Sequence, residues 1–268
     1  MLQFSEYDKA FTNIYCSQPI LDINVEDSNR FIIRYPKFKE ITHLIFSFDA
    51  ENLFLQDKSS FGYCFEIENL LDGLEAESEH GYFLISSTSN KNRSKQYNPY
   101  RLNKDMNYAE SHIENIFNNH LPEILEDYDI NPNFVKKIVM GASMGGLMSL
   151  KTSIMFPTFN NVISLSPAFW FGFYELIEDL KNLNINSSIN LTVGTNEGAI
   201  FNKHVSDLYP AEWDLDLTSN NKFYTSGVKK IYEQLLDSKI KTNFILKENG
   251  EHNENTWRVL LKDILLTL

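Results

Sequence analysis

The stretch Gly141-Ala142-Ser143-Met144-Gly145-Gly146 is where residue types and spacing first suggest chemistry. It fits the pattern G-x-S-x-G. An apolar strand pattern, Lys137–Met140, runs directly into it, and a helical pattern over 144–155 follows directly. A serine on such a sharp strand-to-helix turn presents its hydroxyl outside the sheet, and the small neighbours let strand and helix approach closely. The hydroxyl then lies at a helix N-terminus, where free N–H groups and the dipole favour negative charge. The Met144 N–H could donate to the oxyanion of a tetrahedral intermediate. A glycine-rich helix start capped by a serine is the plainer reading. The strand leading into the motif favours Ser143 as a nucleophile.

A serine nucleophile needs a base, and histidine is the usual one. Where this elbow is used, the chain order is nucleophile, acid, base. His43, His80, His112 and His120 precede Ser143, so only His204 and His252 remain. His204 falls in an irregular stretch. His252 sits in Asn249-Gly250-Glu251-His252-Asn253-Glu254, between the late strand Thr242–Leu246 and the last helix. The acid is expected after the strand Asn190–Val193, in the turn Gly194-Thr195-Asn196-Glu197-Gly198, which makes Glu197 the candidate. Asp207, Asp214 and Asp216, or a dyad without an acid, are the alternatives. A second oxyanion N–H is expected after the strand His43–Phe48, near Ala50 or Glu51. It is a main-chain group, so residue types do not choose between the two.

The elements that must position these groups read as alternating strands and helices. Strands are expected at Leu21–Val25, Phe31–Tyr35, His43–Phe48, Tyr82–Ser86, Lys137–Met140, Val162–Leu165, Asn190–Val193 and 241–246. Helical spacing appears over 62–77, 108–127 (with Pro122 as an expected kink), 144–155, Tyr174–Leu183, 223–237 and 255–267. A polar loop is expected from Ser87 to Tyr100. Repeated βα units imply one α/β domain over residues 1–268, a mostly parallel central sheet with helices on both faces. The segment 199–222 breaks the rhythm and is expected to be either disordered or a functional loop.

Composition narrows the partners. The 268 residues carry 24 basic and 36 acidic side chains, a net charge of −12, which argues against a nucleic-acid or anionic-membrane partner. With 43% apolar residues the chain can bury a core. No apolar run approaches the length of a membrane helix, the start lacks a secretory pattern, and Cys16 and Cys64 form no metal or disulfide spacing. A soluble, cytoplasmic protein is expected. Oligomeric state is not legible.

Four blocks taken together resemble a known family. They are Phe48-Asp49-Ala50-Glu51-Asn52-Leu53-Phe54, the Ser143 block, the Glu197 turn, and Gly250-Glu251-His252-Asn253-Glu254 with Trp257-Arg258. In this order they resemble the putative-esterase family of α/β-hydrolases, which holds esterase D, enterochelin-type siderophore esterases, feruloyl esterases and mycolyltransferases. Arg93 and Pro99, and the block from Ser164 to Trp170, also fit. The resemblance spans about Tyr15 to Leu266. It implies an α/β-hydrolase fold without a large cap domain and a triad of Ser143, Glu197 and His252. It also implies oxyanion N–H groups on Met144 and Glu51, with no metal and no organic cofactor. The chain departs from the family at Ala50, usually Gly, where alanine can hold the turn only if φ stays negative.

The expected activity is therefore that of a serine esterase acting on a small-molecule carboxylic ester through an acyl-enzyme. An acyltransferase would use the same residues, and a non-catalytic binding protein could keep the fold. The Gly250–Arg258 block most resembles the siderophore-esterase branch of the family, a resemblance that implies a siderophore lactone; short-chain acyl esters, thioesters and ester-linked sugar groups stay open. Arg93, Trp170 and Trp213 are the candidate substrate contacts. The 199–222 segment could supply a wall through Tyr209, Trp213 and Phe223.

Overall fold

The computed structural model describes residues 14–16, 30–37, 39–89, 93–100, 108–133 and 135–268. The expected strand Leu21–Val25 lies outside them. In chain order the elements are β1 (Ile14–Cys16), β2 (Arg30–Arg34), β3 (Ile41–Ser47), α1 (Ala50–Phe54), α2 (Ile67–Glu77), β4 (Gly81–Ser87) and α3 (Arg93–Gln96). Then come α4 (Tyr108–Asn115), α5 (Leu121–Asp127), β5 (Lys136–Ala142), α6 (Met144–Met155), β6 (Asn161–Leu165) and α7 (Phe173–Asp179). The chain ends with β7 (Ser188–Asn196), α8 (Asn220–Asp237), β8 (Lys241–Glu251) and α9 (Glu254–Leu265).

The strands form one sheet in the order β1-β2-β4-β3-β5-β6-β7-β8. β1 and β2 pair antiparallel, β2 pairs antiparallel with β4, and every other neighbouring pair is parallel. The apolar runs read as doubly buried strands because both faces of the sheet are covered. In β3, Leu44 and Phe46 face a layer containing α4, α6, α7 and α8. Ile45 faces the other way, toward Leu71 of α2 and Leu261 of α9. The same alternation separates Val139 from Ile138 and Met140 in β5, and Val162 from Ile163 and Leu165 in β6.

Three expectations change on the structure. The helix expected over 108–127 is interrupted by a π-helical turn at Ile116–His120, directly ahead of Pro122 in α5. The ring of Pro122 cannot donate a backbone hydrogen bond, and the wider turn before it absorbs that loss within a continuous helical run. The loop from Ser87 to Tyr100 contains the short helix α3. The segment 199–222 is ordered: it carries 3-10 turns at Gly198–Ile200, Val205–Asp207 and Ala211–Trp213. Side chains at the start of α8 hold it. Asn220 accepts from the Val205 N–H at 3.0 Å and Asn221 from the Gly198 N–H at 2.6 Å.

The register brings the carboxyl ends of β3, β5, β7 and β8 to one edge of the sheet, next to the point where strand order reverses between β4, β3 and β5. In open α/β sheets that edge is where ligands bind.

Candidate active site

Four strand ends converge here. β5 ends in Gly141 and Ala142, and Ser143 follows with φ 55 and ψ −119, a conformation costly for a residue with a side chain. Surrounding bonds hold it. Its N–H donates to Leu165 O at 2.8 Å, and its carbonyl accepts from Leu147 N at 3.1 Å and Ala168 N at 3.0 Å. The glycines are needed for space: a Cβ on Gly141 would lie 2.4 Å from the Gly145 carbonyl. α6 begins at Met144, so the Met144 N–H belongs to the helix-start groups without an intrahelical acceptor.

His252 arrives through an irregularity between β7 and β8. The strands pair in register as far as Gly194 and Lys247, then resume at Asn196 and Glu251. The extra residues of β8 bulge at Asn249, φ 56, whose N–H donates to the Thr195 hydroxyl at 2.8 Å. The bulge is possible because Gly194 packs against Gly250, where a Cβ would meet the Gly250 carbonyl oxygen at 2.2 Å. It ends with His252 beside Glu197. Both strands thus run further than their apolar patterns suggest, to Asn196 and Glu251.

His252 Nε2 lies 2.9 Å from Ser143 Oγ, and His252 Nδ1 lies 2.9 Å from Glu197 Oε2. A carboxylate only accepts, so Nδ1 carries the proton and Nε2 is left to accept from the serine hydroxyl. Glu197 is fully buried and His252 nearly so, while Ser143 is partly exposed. The other oxygen of Glu197 accepts from the Gly194 N–H and from the Ser166 hydroxyl at 2.6 Å. The rival acids lie elsewhere: Asp214 is exposed and pairs with Lys230, and exposed Asp216 bonds Thr218. His204 caps an exposed turn through Ser206.

Ser166 and Trp257 were not expected in the site. Ser166, itself at φ 45, accepts from Trp257 Nε1 at 3.0 Å while donating to Glu197. Tyr224 donates to the Ser166 carbonyl at 2.7 Å and packs its ring 5.3 Å from that of His252. Ser166 and Trp257 fall in blocks that carry the family resemblance, but nothing in those blocks reveals their partners.

Asp49 adopts the left-handed conformation, φ 59, and Ala50 is the first residue of α1, outside the positive-φ positions. The turn therefore places its left-handed residue one position before the alanine, which meets the condition set by the missing glycine. Asp49 and Phe48 lie against the start of α6, because a Cβ on Gly145 would meet Asp49 Oδ2 at 3.0 Å and Phe48 Cβ at 3.3 Å. The N-terminal ends of α1 and α6, bearing Glu51 and Met144, are thus neighbours. Arg93 grips the turn: its Nε donates to Asp49 Oδ1 at 2.6 Å and a terminal nitrogen to Oδ2 at 2.7 Å. The Glu51 carboxyl accepts from the Ser89 hydroxyl and N–H and lies close to its own N–H. Burial, with Asp49 nearby, pushes its pKa up to about 7.

Trp170 is half-buried and stands one ring away from His252, packing 5.0 Å from Tyr224. Trp213 lies further out, stacked on Tyr209 at 5.3 Å. Among the described residues, no group of three His, Cys, Asp or Glu side chains could hold a metal ion. Nor is any helix among them long and apolar enough to cross a membrane.

A mostly parallel sheet in this strand order, with a serine on the turn after β5 and a histidine after β8, defines an α/β-hydrolase. Residues 47–268 match the family described as "putative esterase", and the chain belongs to that family of carboxylic ester hydrolases. Among solved structures it is similar to the siderophore hydrolase EstA from Aspergillus nidulans, at 14% identity and TM-score 0.64, covering 98% of this chain and 99% of that one. The BES protein from Bacillus cereus aligns at 18% identity and TM-score 0.67, over 99% of this chain and 96% of its own. The enterochelin esterase from Shigella flexneri aligns at 19% identity and TM-score 0.60, over 90% of this chain but only 55% of its own length. No curated protein matches.

Proposed function

We propose that this chain is a serine esterase working through Ser143, His252 and Glu197. Ser143 Oγ attacks the ester carbonyl as His252 Nε2 takes its proton. The oxyanion is held by the N–H groups of Met144 and Glu51. His252 then returns the proton to the leaving alkoxide, and water repeats the sequence on the acyl-enzyme to release the acid. Glu197 keeps the proton on Nδ1 and stabilises the imidazolium. The observation that carries this reading is the pair of 2.9 Å contacts that link Ser143, His252 and Glu197 in line, with Ser143 on the elbow.

A small ester is the substrate class. The names of the similar structures include hydrolases of siderophores and of enterochelin. With the His252 block, they make a siderophore lactone the first ester to try, and short-chain acyl esters the second. Trp170 is proposed as a wall of the pocket and Trp213 as its outer edge. Arg93 acts through Asp49 on the oxyanion turn. The test is hydrolysis of p-nitrophenyl butyrate and of a trilactone siderophore by wild type and Ser143→Ala. Turnover of at least one ester that disappears in Ser143→Ala is expected. Equal rates in both proteins would refute the reading.

A further inference from the structure

Glu254 opens α9 two positions after His252 and is fully buried. Its Oε1 accepts from the Phe61 N–H at 3.2 Å, a bond that joins positions 193 apart, and Oε2 has no hydrogen-bond partner. A buried carboxyl satisfied on one side only is costly, and burial raises its pKa. Nothing in the proposed proton transfers uses it. Its effect is mechanical: it ties the connection between α1 and α2 to the helix that follows the base.

That connection carries Phe61. Its ring stands edge-on to His252, with centroids 5.4 Å apart at 86°, and to Trp257 at 5.9 Å and 75°. Yet Phe61 remains 42% exposed, on the lip of the site. Its place beside the base matters. The base must reach the leaving oxygen to protonate it, so the alcohol part of an ester departs on the His252 side of Ser143.

We propose that the exposed face of Phe61 is the subsite for the alcohol part of the ester. It takes alcohols with an aromatic or other flat apolar face, and Glu254 is the positioning residue that holds it there. This rests on the esterase reading and deepens it. The acyl part is bound elsewhere, so changes at Phe61 alter the choice of alcohol and not of acid.

The test compares kcat/KM for benzyl acetate against ethyl acetate, which varies the alcohol, and for benzyl acetate against benzyl butyrate, which varies the acid. Intrinsic reactivity cancels when each ratio is compared between variants. A ring contact of this kind predicts that Phe61→Ala lowers the benzyl-to-ethyl ratio about 3- to 10-fold. The acetate-to-butyrate ratio stays within about twofold, because acyl contacts are untouched. Glu254→Leu, which cannot accept the Phe61 N–H, lowers the alcohol ratio in the same direction and adds nothing in the Phe61→Ala background. Glu254→Gln, whose carbonyl can still accept, keeps the wild-type ratio. Phe61 is exposed enough for its alanine variant to fold if Glu254→Leu does not. An unchanged alcohol ratio in Phe61→Ala, or a shift confined to the acid ratio, overturns the subsite alone. A wild-type chain that hydrolyses p-nitrophenyl butyrate or the trilactone but none of these esters overturns the subsite alone, and one that hydrolyses none of them at all overturns the esterase reading as well.

Discussion

The Ser166 hydroxyl donates to Oε1 of Glu197 at 2.6 Å, the oxygen opposite the one that faces His252. The same hydroxyl accepts from Trp257 Nε1, so a tryptophan of the last helix, a serine after β6 and a glutamate after β7 orient one imidazole. Ser166→Ala removes one donor to Glu197 and leaves the Trp257 N–H unpaired. One lost hydrogen bond of about 1.5 kcal/mol predicts a fall in kcat of roughly tenfold, with a stability loss of about 1–3 kcal/mol. Steady-state kinetics and urea unfolding of the variant check both. A destabilised variant with full kcat would mean that Ser166 serves only the fold.

Arg93 was a candidate substrate contact, and its two-point pairing with Asp49 predicts a different phenotype. Asp49 is 3% exposed, so Arg93→Ala leaves a buried carboxylate without its cation. The expected cost is about 2–4 kcal/mol of stability. A fall in kcat should accompany it, because the turn ahead of Glu51 loosens. Thermal unfolding and kinetics separate the two roles: a raised KM with unchanged Tm and kcat would restore Arg93 as a direct substrate contact.

Glu51 predicts an effect on the alkaline side. Its carboxyl, with a pKa pushed up to about 7, is neutral below that pH and ionised above it. With the Glu51 N–H holding the oxyanion as proposed, the anion competes for that N–H and repels the developing charge. Glu51→Gln should therefore retain more of its pH 7 rate at pH 9 than wild type does, by several-fold. Parallel kcat profiles for the two proteins would show that the carboxyl does not reach the reaction.

Acid sensitivity has a separate origin. His112 is buried against Tyr97, and burial lowers its pKa from 6.5 to about 3. The unfolded chain takes up a proton below about pH 6.5 and the folded chain does not. The stability that neutral His112 provides is complete above that pH and is lost as pH falls toward 3. The slope is about 1.4 kcal/mol per pH unit for one group. His112→Phe should flatten the pH dependence of urea unfolding between pH 6 and 4 by about that slope. An unaltered slope would mean that His112 is already protonated in the fold.

Local patterns made part of this site legible. Ser143 is found from the strand, the glycines and the helix that touch it in sequence. His252 and Glu197 follow from chain order and from turns at strand ends. The sheet and its helices were legible for the same reason: doubly buried strands read as continuous apolar runs. What escaped depends on contacts across the chain. Ser166 meets Glu197 across 31 positions and Trp257 across 91, and Asp49 meets Arg93 across 44. The β8 bulge that delivers His252 hides in the polar run Lys247-Glu248-Asn249-Gly250, which carries no strand pattern. Sequence did not decide between disorder and a functional loop for 199–222 because its anchors, Asn220 and Asn221, are polar side chains on main-chain groups.

The most direct test of the proposed triad is the identity of the residue that is acylated. A p-nitrophenyl ester mixed with the enzyme should release a burst of one p-nitrophenolate per chain, and quenching should leave an acyl adduct on Ser143 by peptide mass spectrometry. Ser143→Ala should give neither burst nor adduct, and Glu197→Gln should slow the burst by about 100-fold or more because the imidazole loses its oriented tautomer. An adduct on another residue, or an undiminished burst in Ser143→Ala, would contradict the account.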